Sequence, residues 1–308
     1  MVQPFDILGL GYTAVDDLLY VESYPPADSK ARVHRRERQG GGLTGTALVA
    51  AARMGARCQY AGGLGHDELS RFVEQRLQQE GVGLEYLDRR DDARPVHSAI
   101  IVEESRHTRT IFFDADGAAQ ARVDWPPDDV IRAARVLFVD HCGIEGMIRA
   151  ARVARAAGIP VVADFESLPA DAHFAELVAL VDHAVASLDF ARRWSGCEQP
   201  GDAARALWND RRQVVVVTCG AEGCWSIGGD DPHTPRHQPA MRVAVVDTTG
   251  CGDVFHGAYA AGLAQGLELP VRLRLASAAA ALKATQRGGQ TGIPTRAAVD
   301  RFLKEYRE

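Results

Sequence analysis

The chain has 308 residues, of which 46% are hydrophobic and 25% charged, a composition typical of a soluble globular enzyme. A net charge of −6, from 35 basic and 41 acidic residues, argues against nucleic acid as a partner. No segment approaches the roughly 20 apolar residues that span a bilayer. The first ten residues lack a signal peptide's pattern, and the six cysteines are scattered, so we expect a cytoplasmic protein with reduced thiols and no membrane partner.

Short apolar runs alternate with helical patterns along most of the chain, which is typical of a layered α/β fold. The apolar runs predict buried strands at Phe5–Leu10, Cys58–Gly62, Val136–Asp140, Val161–Asp164, Ala184–Ser187 and Val214–Thr218. Helical patterns cover Thr44–Met54, Glu68–Glu80, Gly146–Ala157, Ala203–Trp208, Gly252–Gly266, Val271–Thr285 and Arg296–Tyr306.

Two stretches interrupt this alternation. Residues 16–38 contain a strand-like run, Leu18–Val21, followed by two prolines and a charged run. Residues 96–113 show the pattern of a hairpin, with two strands around a polar turn at 103–108. Because neither stretch includes a crossover helix, we predict that both belong to a small antiparallel sheet that projects from the α/β body as a lid.

The turn Gly9-Leu10-Gly11-Tyr12-Thr13-Ala14 resembles the glycine fingerprint of dinucleotide-binding folds. That fingerprint requires a helix to begin at the turn and an acidic residue about 20 positions later. Two aspartates, a strand-like run and two prolines follow instead. The sequence therefore argues against a dinucleotide site here.

The clearest chemical signal is Val246-Asp247-Thr248-Thr249-Gly250-Cys251-Gly252-Asp253 and the small-residue helix after it. Small residues permit a tight turn in which successive backbone N–H groups point at one spot at a helix N-terminus, where they bind anions. A carboxylate beside such a site suits phosphoryl transfer, because it can accept the proton of the attacking hydroxyl. From these residues alone, a helix-capping aspartate is an equally good interpretation of Asp253.

This run resembles the second signature of the ribokinase (PfkB) family, D-T-x-G-A-G-D. The resemblance implies one kinase domain over residues 1–308, with a three-layer α/β/α body, a mostly parallel central sheet and a small projecting β-sheet lid formed by about 16–38 and 96–113. It also implies that Asp253 is the catalytic base and that the amides of Gly250, Cys251 and Gly252 form the anion hole. Cys251 stands where the family usually has alanine, and we interpret its thiol as a packing group.

A second resemblance lies near the N-terminus, where Gly40 to Ala47 looks like the family's first signature, a glycine pair before a helix. Asp16, five residues after Gly11, matches the family's sugar-binding aspartate. The resemblance implies substrate contacts at Asp16, Gly41, Gly42 and Thr46. Leu43 and Thr46 stand where family members often carry asparagine.

The family's T-x-G-x-x-G nucleotide loop corresponds to Thr218, Gly220 and Gly223. The resemblance implies ATP with Mg²⁺ as the phosphate donor. The remaining residues that it assigns to the nucleotide are Ser187, Ser277, Lys283 and Gly288.

Two metal expectations follow from the same resemblance. Asp247 and Thr249 stand where some members bind a monovalent cation such as K⁺. The family's N-x-x-E element, which is linked to magnesium, is replaced here by Ser187-Leu188-Asp189-Phe190. Asp164 and Glu166 could contribute to the magnesium site through water instead.

Two branches of the family, the sulfofructose kinases and the ketohexokinases, are most similar to this chain. Lys30 matches a lysine that contacts the anionic end of the substrate in the first branch, and Asp28 and Arg109 match lid positions of the second. Phe113 and Cys142 replace the residues that read a sulfonate. We therefore expect a ketose or ketose derivative, while solvated lid charges remain an equally good interpretation of Lys30 and Arg109.

Two alternative functions stay open, a nucleoside kinase of the same fold and a non-catalytic sugar-binding regulatory protein. The lid predicts a homodimer, because its apolar residues exceed what an isolated lid should expose. These residues are Leu18, Tyr20, Val21, Ile100, Val102, Ile111 and Phe113.

Overall fold

The computed structural model describes residues 5–106, 108–228 and 231–306, so His107 of the predicted polar turn lies outside the described residues. The strands are β1 Phe5–Leu10, β2 Ala14–Val21, β3 Arg35–Gly41, β4 Cys58–Tyr60, β5 Gly63–Leu64, β6 Asp88–Arg89, β7 Val96–Glu103, β8 Thr108–Asp114, β9 Ala134–Val139, β10 Val161–Phe165, β11 His183–Ser187, β12 Val214–Thr218, β13 Cys224–Gly228 and β14 Asp231–Gln238. The helices are α1 Leu43–Arg53, α2 Glu68–Gln79, α3 Asp128–Arg132, α4 Ile144–Ala156, α5 Phe174–Leu180, α6 Leu188–Ser195, α7 Pro200–Leu207, α8 Cys251–Ala264, α9 Leu269–Ala284 and α10 Arg296–Glu305.

The body is built on an eight-stranded sheet in the order β14-β13-β12-β11-β10-β9-β1-β4. Neighbouring strands from β4 to β12 pair in parallel, and β13 and β14 add an antiparallel edge. In β12, Val214 and Val216 face one hydrophobic core while Val215 and Val217 face the other. Because alternate side chains of a strand point to opposite faces, this continuous valine run requires helices on both sides of the sheet. The expected three-layer α/β/α body is confirmed.

A separate four-stranded sheet in the order β3-β2-β7-β8 forms the lid. The expectation that this sheet is antiparallel is wrong in one respect, because β2 and β7 pair in parallel from Ala14 and Val96 onward. Each of these strands starts at the body and runs outward, and each is followed by a strand that returns antiparallel, β3 or β8. Strand β3 was missed because its sequence, RRERQGG, carries no apolar alternation.

The apolar residues of the lid differ in their exposure. Leu18, Tyr20 and Ile100 form a small buried cluster with Val102 packed against it, and Val21 is also buried. Contrary to the expectation, these side chains therefore do not add to the exposed surface of the lid. The exposed apolar residues lie on the edge strand β8, at Ile111, Phe112 and Phe113. Strand β8 is an edge of the lid sheet and has a pairing partner on only one side.

The predicted strands and helices of the body match observed ones closely, whereas the short helices α3, α5 and α6 and the strands β5, β6, β13 and β14 were not predicted. The turn at residues 9–14 leads into strand β2 and not into a helix. Across the three described ranges, no helix has both the length and the apolar character needed to cross a membrane.

Candidate active site

The loop before helix α8 has the geometry of an anion-binding turn. Gly250 is the N-cap of α8 and adopts a left-handed conformation with φ 74°, which a residue with a Cβ rarely adopts. The turn is held by the Cys251 N–H, which donates to the Thr248 carbonyl at 3.2 Å. The first N–H groups of a helix lack partners within the helix, so the start of α8 presents donors and a positive dipole end to an anion.

Asp253 lies in the first turn of α8 and is only partly accessible to solvent. Burial raises the pKa of its carboxyl well above the usual value, and the neighbouring carboxylates of Asp164, Glu166 and Asp16 raise it further, while Lys283 acts in the opposite direction. A carboxylate with a raised pKa is a better proton acceptor than a free aspartate. The electrostatics of the site therefore suit Asp253 to the role of a base.

Two more acidic residues lie at the carboxyl end of strand β10. Burial raises the pKa of Asp164 and of Glu166, and the charges of His256 and Arg109 partly offset the rise at Glu166. Asp164 Oδ2 lies 3.2 Å from His256 Nδ1. Among the described residues there is no cluster of three or more His, Cys, Asp or Glu side chains arranged to hold a metal directly. Magnesium often keeps most of its water and uses only one or two carboxylates plus phosphates, so Glu166 and Asp164 fit a water-mediated role.

The Asp16 carboxylate, expected to bind the sugar, lies against Gly41 at the end of β3. Burial raises the pKa of Asp16 to about 6, with a further rise from the Asp17 charge and an opposing hydrogen bond from Ser98. Gly42 has φ 84° and packs so closely on Thr13 that a Cβ there would lie 2.7 Å from its backbone. The structure thus brings Asp16, Gly41 and Gly42 together.

Thr46 differs from the expectation that it contacts substrate. It is buried in helix α1, and its hydroxyl accepts a hydrogen bond of 3.3 Å from the Gln290 side-chain amide. Its hydroxyl is thus engaged inside the protein, and we assign Thr46 a role in fixing the loop of Gln290.

Sequence reasoning missed two residues at this end of the sheet, Tyr12 and Asp140. The buried Asp140 carboxylate accepts hydrogen bonds from Tyr12 N at 2.8 Å, Thr44 Oγ1 at 2.9 Å and Cys142 N at 2.8 Å. Burial raises its pKa to about 7. Burial also raises the pKa of Tyr12, as do the charges of Glu166, Asp140 and Asp253, which places Tyr12 among the acidic residues of the site. The available signal was the position of Asp140 directly after a buried strand.

Arg109 connects the lid to the loop before helix α8. Its Nη1 atom donates to Thr248 Oγ1 at 3.4 Å, across 139 residues of sequence. A cavity of about 590 Å³ separates the lid from the body here, with Arg109 and Thr248 in its lining. Asp28, with φ 58°, and Lys30 are exposed in the connection between β2 and β3, so their substrate contacts stay predictions.

A second cavity, of about 340 Å³, lies between the β12 loop and helices α8 and α9. It contains four of the residues assigned to the nucleotide, Thr218, Gly220, Gly223 and Ser277. Apolar side chains that the sequence did not indicate complete the wall, among them Met241, Val243 and Phe255. Cys251 and Gly252 also line it, so the cavity reaches the anion site. An apolar slot that ends at an anion site suits a nucleotide base with its phosphates.

Three residues that the resemblance assigns to the nucleotide do not line this second cavity. Ser187 caps helix α6, where its Oγ accepts from Phe190 N at 3.1 Å. Gly288 N donates to Asp247 Oδ2 at 2.8 Å. Lys283 is fully buried and donates from Nζ to the Asp247 carbonyl at 2.9 Å. Helical periodicity explains the last correction, because Ser277, Ala280, Ala281 and Ala284 face the cavity while Lys283 lies on another side of α9.

Asp247, one of the two residues expected to hold a monovalent cation, already has its oxygen atoms engaged within the protein. The Asp247 carboxylate already accepts hydrogen bonds from the N–H groups of Thr249 and Gly288, each at 2.8 Å. The Asp247 carbonyl accepts the Lys283 ammonium. A cation at this point would have to displace a positive charge that the protein supplies itself.

Comparisons with known proteins agree with this arrangement. The model of the pfkB family of carbohydrate kinases matches residues 6–296. The chain is 27% identical over 302 residues to a bifunctional ribokinase/ribose-5-phosphate isomerase A of Fructilactobacillus sanfranciscensis, covering 95% of this chain but 55% of that longer protein. A crystal structure from Agrobacterium tumefaciens, provisionally named a ribokinase, superposes with a TM-score of 0.91 at 30% identity and covers 99% of this chain and 100% of that one. Arabidopsis thaliana ribokinase, solved with ribose and ATP, gives a TM-score of 0.83 at 22% identity, with 98% and 100% covered.

Proposed function

Since the chain belongs to the pfkB family of carbohydrate kinases, we propose that it transfers the γ-phosphate of ATP to a primary hydroxyl of a sugar. The observation that carries the proposal is the position of Asp253. Its carboxylate lies in the first turn of α8, directly after Cys251 and Gly252, which line the second cavity, and within electrostatic reach of Asp16. A base between a sugar site and a phosphate site is what transfer to a hydroxyl requires.

The reaction follows from this placement. Asp253 accepts the proton of the sugar hydroxyl as the hydroxyl oxygen forms a bond to the γ-phosphorus, and the bond from that phosphorus to the ADP oxygen breaks. The N–H groups at the start of α8 stabilise the charge on the transferring phosphoryl group. Asp16 accepts hydrogen bonds from sugar hydroxyls and positions the reacting one, because an ionised carboxylate is purely an acceptor.

Magnesium bound with ATP would neutralise part of the phosphate charge. Glu166 and Asp164 are the residues that would hold it through water. What supports this is their place at the carboxyl end of β10, close enough to Asp253 that their charges raise the pKa of its carboxyl. In this arrangement Arg109, which acts on Glu166 from the lid, adds positive charge once the lid closes.

The substrate class that we propose is a ketose or ketose derivative with an anionic group. Arg109 and Lys30 on the lid would bind that group, and Asp28 would accept from a hydroxyl. The position of Arg109 beside Thr248 supports the proposal, because it keeps one lid cation close to the reacting end of the site. Lys30 is exposed and free to reach a ligand bound under the lid.

The proposed assembly is a cytoplasmic homodimer that joins through the lids. Strand β8 supports it, since it combines an unpaired edge with the exposed side chains of Ile111, Phe112 and Phe113. Edge strands with apolar surface are normally covered by a partner.

Measuring ADP release with Mg·ATP and a panel of phosphate acceptors tests the proposed function. The panel holds ketoses, aldoses, their phosphorylated and sulfonated derivatives, and nucleosides. We expect turnover on a sugar, with anionic ketoses preferred. Turnover on nucleosides alone would establish a nucleoside kinase, and sugar binding by calorimetry without any ADP release would establish a regulatory protein.

A further inference from the structure

Lys283 is the one lysine among the buried polar residues of the described chain, and it is 0% exposed. It occupies the last turn of α9, directly behind the loop that shapes the anion site. A buried ammonium is costly unless it is paired and hydrogen-bonded. Its burial at this position therefore calls for partners that compensate the charge.

Those partners come from two different segments. Lys283 Nζ donates to the carbonyl of Asp247, before α8, at 2.9 Å, and to the carbonyl of Gln286, after α9, at 3.5 Å. The same two segments are joined by the Asp247 carboxylate, which accepts the Gly288 N–H at 2.8 Å. The Ala284 carbonyl adds a third link, accepting from Val246 N at 2.8 Å and Asp247 N at 3.1 Å. Lys283 thus holds a positive charge where backbone carbonyls of two loops converge.

The charge of Lys283 also acts on the reacting groups. Burial lowers its pKa, while the negative charges of Asp247 and Asp253 act to raise it. In return Lys283 lowers the pKa of Asp247 and of Asp253 against the effect of their burial. An ammonium in this place therefore holds the loop before Gly250 in shape and adds positive charge behind the amides that receive the phosphate.

Carbonyl oxygens that converge on one point are the ligands of a monovalent cation, and an ammonium group resembles such an ion in charge and size. We propose that the Lys283 ammonium replaces a bound monovalent cation behind the anion site, so that the enzyme works without K⁺. Lys283 is then a positioning residue, and it does not contact the nucleotide. This inference rests on the proposed kinase function for its kinetic test, but its structural test does not.

The kinetic test compares the wild-type enzyme in potassium, sodium and choline chloride at equal ionic strength. We expect kcat to agree within about twofold, because the three salts screen surface charge equally. A rise of about tenfold or more in K⁺ over choline would overturn the proposal, since it would reveal a required ion.

Two substitutions at position 283 separate charge from shape. Lys283→Ala leaves room for an ion, whereas Lys283→Met fills most of the space with a neutral chain. We expect both to lower kcat by about tenfold or more, with K⁺ restoring activity to Lys283→Ala and not to Lys283→Met. Loss of packing alone would give no such difference between the two variants. Lys304→Met removes an exposed lysine from α10 and is the matched control, expected to behave as wild type in all three salts.

The structural test is the melting temperature without substrate, measured in the same salts. An ion that binds only the folded protein raises Tm, and the rise grows with the logarithm of the ion concentration. We expect K⁺ to raise the Tm of Lys283→Ala above its value in choline and to leave wild type unchanged. A K⁺-dependent Tm in wild type, or none in a folded Lys283→Ala, would overturn the proposal even if no sugar were ever phosphorylated. If Lys283→Ala does not fold in any salt, the Tm and kcat of wild type decide.

Discussion

The carboxylate of Asp16 and the backbone of Gly41 are in direct contact, such that a Cβ added at Gly41 would lie 2.3 Å from Asp16 Oδ2. Both residues belong to the lid sheet, in which Ala14 pairs with Gly41 and Asp16 pairs with Gln39. The absence of a side chain at Gly41 leaves the carboxylate room to meet a ligand. The price of this placement is burial, which raises the pKa of Asp16 to about 6.

Replacing Asp16 by asparagine should make the protein more stable at neutral pH. The pKa of Asp16 is about 6 in the folded state against 3.8 for an unperturbed aspartate, so between these values the folded state binds more protons than the unfolded state. The free energy of unfolding therefore falls as pH rises through this window, and the loss is complete above it. We expect Asp16→Asn to have a higher urea midpoint than wild type at pH 7, with the difference vanishing below about pH 4. Equal midpoints at pH 7 would contradict the burial of a charged Asp16.

The same substitution should weaken sugar binding. Ionised Asp16 accepts hydroxyl hydrogen bonds, so the wild-type KM for sugar should rise as pH falls below about 6. Asp16→Asn should show a raised KM that no longer depends on pH in this range, with ATP affinity nearly unchanged. Steady-state kinetics over pH, with calorimetry of ATP binding as the control, measures both quantities. A sugar KM unaffected by the substitution would exclude Asp16 from the sugar site.

Asp253→Asn should remove catalysis and leave binding largely intact. Asparagine keeps the shape of the side chain but cannot accept the sugar proton, and general-base catalysis typically contributes about 10²–10⁴-fold. We expect kcat to fall by that factor, while calorimetry shows sugar and ATP affinities close to those of wild type. Because the pKa of Asp253 is raised, the wild-type kcat should decline on the acid side at a higher pH than a free aspartate would give. A variant that retains more than about a tenth of the wild-type kcat would show that Asp253 is not the base.

Replacing Cys251 by alanine should leave kcat nearly unchanged, whereas replacing Gly250 by alanine should lower it. The Cys251 thiol contacts the Ala280 carbonyl at 3.6 Å and burial raises its pKa, so it packs against α9 and is a poor nucleophile. Cys251→Ala preserves the backbone and should keep kcat within about twofold of wild type. Gly250→Ala forces a side chain into a left-handed conformation and should shift the anion site, lowering kcat by about 10²-fold. Comparable losses in both variants would mean that the thiol takes part in the reaction.

Phe112→Lys should separate the proposed dimer. Phe112 is 54% exposed in the middle of the edge strand β8, and a charge there opposes the burial that pairing two lids would require. We expect wild type to be a dimer and Phe112→Lys a monomer in light scattering at micromolar concentration. Val271→Lys, at an equally exposed apolar position on helix α9, is the control and should remain dimeric. A wild-type monomer at that concentration would contradict the dimer directly.

The sequence by itself determined the features that are local along the chain. The buried valine run of β12, the helix of small residues after Gly250 and the hairpin of β7 and β8 were all predictable from periodicity and turn residues. The motif at 247–253 predicted the turn before helix α8 for the same reason, since a tight turn before a helix requires only neighbouring residues.

Only the tertiary structure decided which residues from distant segments meet. It turned Lys283 away from the second cavity and toward the Asp247 carbonyl, placed Tyr12 and Asp140 near Glu166 and Asp253, and set β2 parallel to β7. It also buried Leu18 and Ile100 while leaving β8 exposed. Such outcomes depend on how a helix is rotated and which strands become neighbours, and these are settled by packing across the whole core.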